Sequence, residues 1–323
     1  MAELNKDKFQ IIGCVNSDAE AIVRPNLTYW QDAWRRLKQN KVAIFSLILL
    51  GVIAIMCAFG PWIGKLISGV DYSIQNHNPA ALNAKPGTLN INKEGQQLGK
   101  YIFGTDNLGR DIFGRLWVGG RVSIAIGLAG TLIEVFVGAI YGGVSGYFGG
   151  LVDDIMMRIV EVLNSIPYMI VVILMAVIFQ KQGMGTILLA LCITGWTGMA
   201  RLIRGQVMQL KESEYVLAAQ ALGADSKRII YKHLIPNTIG IIIIYMTFDI
   251  PSFIFAEAFL SFIGLGIQPP NTSWGAMAAF GQQVMDFYPH ELLFPAIAIS
   301  LTMLSFNLLG DGLRDALDPK LRN

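Results

Sequence analysis

The chain has 323 residues, of which 53% are apolar and only 15% charged, far below the roughly 25% charge of a soluble domain, so a water-soluble globular protein is excluded. A net charge of +2, from 25 Lys and Arg against 23 Asp and Glu, gives no global field that would select nucleic acid. Cys14, Cys57 and Cys192 are an odd set without metal-ligand spacing, which predicts free thiols, with neither a disulfide nor zinc; no cofactor is expected in this chain.

Residues 1–42 read as a polar N-terminal segment, with no apolar run close enough to Met1 to serve as a cleavable signal. A helix needs about 20 largely apolar residues to cross about 30 Å of hydrocarbon, because in lipid it must satisfy its own backbone. Six segments meet that test, for an all-α polytopic protein. The first covers residues 43–63 and ends at Pro61 and Lys65. An extracytoplasmic loop, 64–121, follows; its stretch from Asp71 to Gly99 is rich in Asn, Gly, Pro and Gln and is read as loosely structured.

The second span covers Val122 to Tyr147, with Gly138, Gly142 and Gly146 on one face; packing inside the same subunit is the favoured reading over a dedicated subunit interface. Ahead of it, Thr105 is expected to cap a short surface helix carrying the pairs Asp106–Arg110 and Asp111–Arg115, with Phe113 and Trp117 at the membrane interface. Trp274, in the outer loop between the fifth and sixth spans, suits either an interface anchor or a packed side chain. A third segment runs from Ile155 to Gln180, with an expected pair Arg158–Glu161 and Pro167 within it. The fourth covers Gly183 to Ala200, the fifth follows Pro236 to about Gly264, and the sixth covers Leu292 to Gly310, before a tail at 311–323.

Arg35, Arg36, Lys38 and Lys41 directly precede the first span, which predicts a cytoplasmic N-terminus, and six crossings return the C-terminus to the same side. The basic stretch between spans four and five then also lies inside. Residues 122–310 form a five-helix core that contains this inner loop, 205–237.

The inner stretch from Ser213 to Asn237 reads SEYVLAAQALGADSKRIIYKHLIPN. Its punctuation predicts two short helices: Ser213 caps the first, Gly223 suits the left-handed residue after it, and Asp225 or Ser226 caps the second, which bends at Pro236. Ala218 and Ala219, one turn before Gly223, leave a smooth docking patch; a helical hairpin without a partner is the plain alternative.

Ala218, Ala219, Gly223 and Pro236 stand at the positions of the EAA loop, so this segment resembles the cytoplasmic loop of binding-protein-dependent ABC importer permeases. The family's leading Glu is Leu217 here, with Glu214 a turn earlier, and His233 replaces the usual aliphatic residue before the proline. Three further stretches, Phe103 to Ser123, Phe259 to Met277 and Asn307 to Lys320, are similar to the second permease type of the oligopeptide and dipeptide branch.

That resemblance implies a type I ABC importer permease fold in the bacterial cytoplasmic membrane. It also implies a homologous second permease subunit, two ATPase subunits that carry ATP and magnesium, and an extracytoplasmic peptide-binding protein. Peptide would cross by alternating access driven through the loop. The same architecture could carry nickel or another small solute, and an ion-gradient transporter or a non-transporting scaffold stand as rivals from other classes. No GxxxxGK[ST], HExxH or GxSxG motif is present, so neither ATP hydrolysis nor other catalysis is expected in this chain.

Glu134, Glu161, Asp249 and Glu257 lie in apolar segments, where ionisable groups are costly and point to function. Asp249 and Glu257 flank Pro251, and two readings are open for them: lining the translocation path, or hydrogen bonding between helices.

Overall fold

A computed structural model describes residues 28–91, 95–179 and 183–317. Cys14, Lys93, Gln180 and the tail beyond Leu317 lie outside them. An amphipathic helix α1 (Tyr29–Gln39) leads into α2 (Lys41–Ser68). The long α3 (Ile112–Phe148) follows the external excursion, then α4 (Gly150–Ser165), α5 (Tyr168–Phe179) and α6 (Met184–Leu210). The inner hairpin holds α7 (Glu214–Ala221), α8 (Ser226–Ile229), a π turn (Ile230–Leu234) and α9 (Ile235–Asn237). Last come α10 (Ile239–Phe262), α11 (Trp274–Gln283) and α12 (His290–Leu317).

Five helices, α2, α3, α6, α10 and α12, are long and apolar enough to cross a membrane, and the bent pair α4–α5 makes a sixth if it counts as one span. The third segment is therefore not one continuous helix. It turns by 79° at Ile166 and Pro167, because a proline pushes the preceding residue out of helical geometry and cannot donate to the helix itself.

Pro61 does not end the first span; α2 continues to Ser68 with the proline inside it. A proline at 61 leaves the carbonyl of Cys57 without its usual donor. Arg121 of α3 supplies one instead, its Nε donating to Cys57 O and its guanidinium donating to Ala58 O at 2.8 Å. The freed backbone group and the arginine thus satisfy each other.

Three other boundaries also move. α3 begins ten residues before Val122. α6 runs ten past Ala200, so the inner loop begins after Leu210 and not at 205. α12 absorbs residues 311–317 of the expected tail. In each case a tertiary partner carries the helix beyond its apolar run.

α3 and α6 make the most extensive packing in the chain. The α3 glycines explain it. A Cβ at Gly138 would fall 2.6 Å from Met199 Cβ and one at Gly146 would fall 2.7 Å from the Arg204 carbonyl, while Gly142 lies hard against the Ala200 carbonyl. The stripe is consumed within the subunit, as expected of small residues that let backbones approach.

The external excursion is better ordered than its composition suggests. Strands β1 (Leu89–Ile91) and β2 (Gln97–Lys100) pair antiparallel. Buried Asn90 donates from Nδ2 to Ser68 O at 2.8 Å, fastening the hairpin to the end of α2. Asn76 donates to the hydroxyl of the buried Tyr101 at 3.3 Å. Asn and Thr side chains here replace the backbone ladder that a regular element would provide.

Thr105 caps no helix: its hydroxyl donates to Ala81 O and accepts from Ala84 N at 2.8 Å. Asp106 pairs with Arg110 at 2.8 Å as expected, but Arg115 also turns to Asp106, at 3.6 Å, and not to Asp111. Asp111 is instead the N-cap of α3 and accepts from Gly114 N at 2.9 Å. Phe113 is buried against Phe103 and Trp117, not at a lipid interface, and Gly60 gives Trp117 its seat on α2. Trp274 is fully buried, its indole donating to Leu116 O at 2.8 Å.

Candidate functional site

The inner hairpin has two faces. Val216, Ile229, Ile230 and Leu234 are buried in one cluster with Met199, Ile203 and Val207 of α6 and Ile242 of α10. These four apolar side chains of the hairpin point into the bundle and fasten it to α6 and α10. Such burial stabilises by roughly 1.5–3 kcal/mol per large side chain, which is what lets helices this short hold shape.

On the opposite face Glu214, Ala218 and Gly223 are exposed and Ala219 half-buried. Leu217 and Leu222 stand out at 52% and 88% exposure. Leu222 ends α7, and Gly223 takes the left-handed conformation there, φ +81°. Nothing approaches within 4 Å of a Cβ built at Gly223, so backbone conformation, not crowding, asks for glycine. Glu214 opens α7, where a carboxylate meets the positive end of the helix.

Neither expected cap makes its side-chain bond. Ser213 donates instead to Leu210 O, and Asp225 holds the N-cap position of α8 without a cap hydrogen bond. Pro236 lies in α9, just after the π turn, and Thr238 separates it from α10. Asn237 joins the two arms, donating to Tyr215 Oη at 3.2 Å and His233 O at 2.6 Å. A hollow of about 480 Å³ beside α7 is lined by Leu217, Gln220, Lys211 and Tyr147.

The hairpin's root is locked by a pair that spacing alone does not reveal. Asp153 of α4, 5% exposed, receives Nε and Nη2 of Arg204 on α6 and the hydroxyl of Ser145 on α3. Lys211 adds a bond to Gly146 O at 3.2 Å. An Asp at the head of an apolar segment was the available signal, but its partner is 51 residues away. Arg158 and Glu161 do pair, at 2.8 Å, on an exposed surface.

The two acids around Pro251 have separate surroundings. Glu257 is completely buried and accepts from Ser123 at 3.0 Å, Ser261 at 2.8 Å and Ser273 at 2.6 Å. Ser273 also caps α11, and Ser123 accepts from Trp274 N at 3.2 Å. This carboxyl ties α3, α10 and the outer loop into one knot. Asp249 is half-buried, accepts from Thr131 at 3.4 Å and lies beside Glu134 of α3. Pro251 is buried in α10 between them.

Asp249 also sits one helical turn beyond Tyr245. Tyr245 lines a groove of about 880 Å³ with Tyr29, Gln206, Asn237, Phe248 and Arg314. At the outer end, burial pushes the Asp111 carboxyl up from 3.8 to about 6 against the pull of the Gly114 and Phe113 amides. Cys57 and Cys192 are free thiols, and no cluster of metal-ligating side chains occurs among the described residues.

Comparison with known proteins gives the chain's family. Residues 28–86 match the N-terminal transmembrane domain of oligopeptide transport permease C. The chain is 49% identical over 308 residues to the dipeptide transport system permease protein DppC of Bacillus subtilis (strain 168), covering 95% of this chain and 91% of that one. It is 46% identical to the oligopeptide transport system permease protein OppC of the same organism over 323 residues and the full length of both. The glutathione transport system permease protein GsiD of Pectobacterium atrosepticum is 38% identical over 298 residues, 92% of this chain and 93% of its own. Residues 102–323 match the binding-protein-dependent transport system inner membrane component, so the chain belongs to that family and is a multi-pass inner-membrane transport permease.

Proposed function

We propose that the chain is the second-type permease subunit of an ABC importer that moves short peptides across the bacterial cytoplasmic membrane by alternating access. The observation that carries this is the hairpin Ser213–Asn237: one face is built into α6 and α10, and the other leaves Leu217, Leu222 and Ala218 exposed among the described residues, with Ala219 half-buried beside them. A docked ATPase that closes on ATP would move the hairpin, and through it the two helices, as one rigid element.

The N-terminus, hairpin and C-terminus face the cytoplasm in this reading, which the lysines and arginines before the first span and in the hairpin support, with six crossings returning the C-terminus to the same side. A homologous permease completes the pathway, two ATPase subunits hold ATP and magnesium, and a binding protein delivers peptide from outside. Within the subunit, the groove leading to Tyr245 and the Asp249 turn of α10 forms the inner half of the path. Asp249 faces the peptide ammonium, Pro251 shapes α10 there, and Glu257 holds the outer wall. Relatives of comparable similarity bear dipeptide, oligopeptide and glutathione names, which favours peptide-like cargo over nickel.

The test is peptide uptake into vesicles containing the chain with its second permease, ATPases and binding protein. Uptake that requires ATP and survives collapse of the ion gradients supports the assignment. Uptake that needs a gradient and no ATP would overturn it in favour of a secondary transporter with Asp249 and Glu257 as proton or sodium sites.

A further inference from the structure

Helix α1 has a surface that the groove explains only at its edge, where Trp30 joins Tyr29 in the groove's lining. Its inner side is fixed: Leu37 packs with Ala43 and Ala316, Ala33 is buried, and Tyr29 Oη reaches Leu317 O at 3.5 Å. Trp30 and Trp34, four residues apart and so on one side, are 51% and 48% exposed. Lys38, one turn further, lies over the Trp34 ring with Nζ 5.3 Å from its centroid. Arg35 and Lys41 are exposed beside them.

Connectivity sets where this surface sits. Only Asn40 separates α1 from the membrane-spanning α2, and its extended backbone, φ −82° and ψ 99°, ends one helix before it caps the next. α1 is therefore held at the mouth of a span without continuing it. Two indoles flanked by cations, at that depth, match the headgroup zone, where Trp sits half in hydrocarbon and Lys and Arg meet phosphates. The ammonium over the indole face is attracted by the ring's negative face.

We propose that α1 is an interfacial anchor whose Trp30–Trp34–Lys38 face binds the anionic phospholipid surface of the membrane. The proposal rests on α1 alone and not on the transported cargo. Because α1 touches the end of α12, and Tyr29 faces Gly240 at the base of α10, anionic lipid would also steady the inner mouth of the groove.

The full chain is placed in nanodiscs with lipids brominated near the headgroup, either phosphatidylglycerol or phosphatidylcholine, and the fluorescence lost on Trp30→Phe with Trp34→Phe is isolated by difference. The expected result is quenching of that component about twofold or more stronger in brominated phosphatidylglycerol. The preference falls to a ratio of about one in Arg35→Gln/Lys38→Gln/Lys41→Gln, whose changes are all at exposed positions. Three results would overturn the proposal: equal quenching in both lipids, quenching by aqueous acrylamide instead, or shielding from both reagents, which would mean that a protein partner covers the face.

Discussion

At the scale of single residues, the buried acids differ in what their removal should do. Glu257→Ala strands the hydroxyls of Ser123, Ser261 and Ser273 in a closed site. With each unsatisfied buried group worth about 1–3 kcal/mol, the variant should lose several degrees of detergent-solubilised melting temperature, and Glu257→Gln, which keeps an acceptor, should lose less. Asp249→Asn should melt like the parent protein yet reduce uptake. Asp111 adds a pH dependence. Its folded value of about 6 exceeds the ordinary 3.8, so between these values the folded state binds more protons and stability falls as pH rises, by about 3 kcal/mol in all at 1.36 kcal/mol per unit. Thermal melts from pH 4 to 7 should show that decline, and Asp111→Asn, which can still cap α3, should lessen it. None of these surroundings was legible in the sequence: the acids stood out by being charged in apolar runs, but Glu257 and Ser123 lie 134 residues apart, and no local pattern joins them.

At the scale of elements, sequence reading succeeded where one physical requirement dominated. Apolar length revealed α2, α3, α6, α10 and α12, though not the break between α4 and α5, and the Gly138–Gly142–Gly146 stripe revealed a close helix contact. It failed where a distant partner changed the local rule. Pro61 reads as a stop until Arg121 is seen to take over the Cys57 carbonyl. This gives a double-mutant prediction: Arg121→Ala should destabilise by about 1–3 kcal/mol, and less in a Pro61→Ala background, where the residue 61 amide again serves that carbonyl. Coupling in denaturation midpoints measures it, and strict additivity would contradict the pairing. Gly142→Leu should prevent stable assembly, since the α3–α6 approach at Ala200 leaves no room. Helix ends were the other gap: α6 continues past Ala200 because Arg204 finds Asp153, a reward invisible to hydropathy.

At the scale of the whole molecule, the hairpin's punctuation was readable, from Gly223 to Pro236, because left-handed backbone and proline leave local marks. Its two-faced character was not, since that depends on α6 and α10 closing over Val216, Ile229 and Leu234. In the proposed mechanism the outward face couples the permease to an ATPase. The most direct test is Leu222→Glu, measured as ATPase co-purification and ATP-driven peptide uptake in the assembled importer. Leu222 is 88% exposed, so the chain should fold and melt as before. Loss of an interface anchor worth about 2 kcal/mol should then weaken ATPase binding about 30-fold and abolish most uptake. Undiminished co-purification and uptake in a normally folded Leu222→Glu protein would contradict the claim.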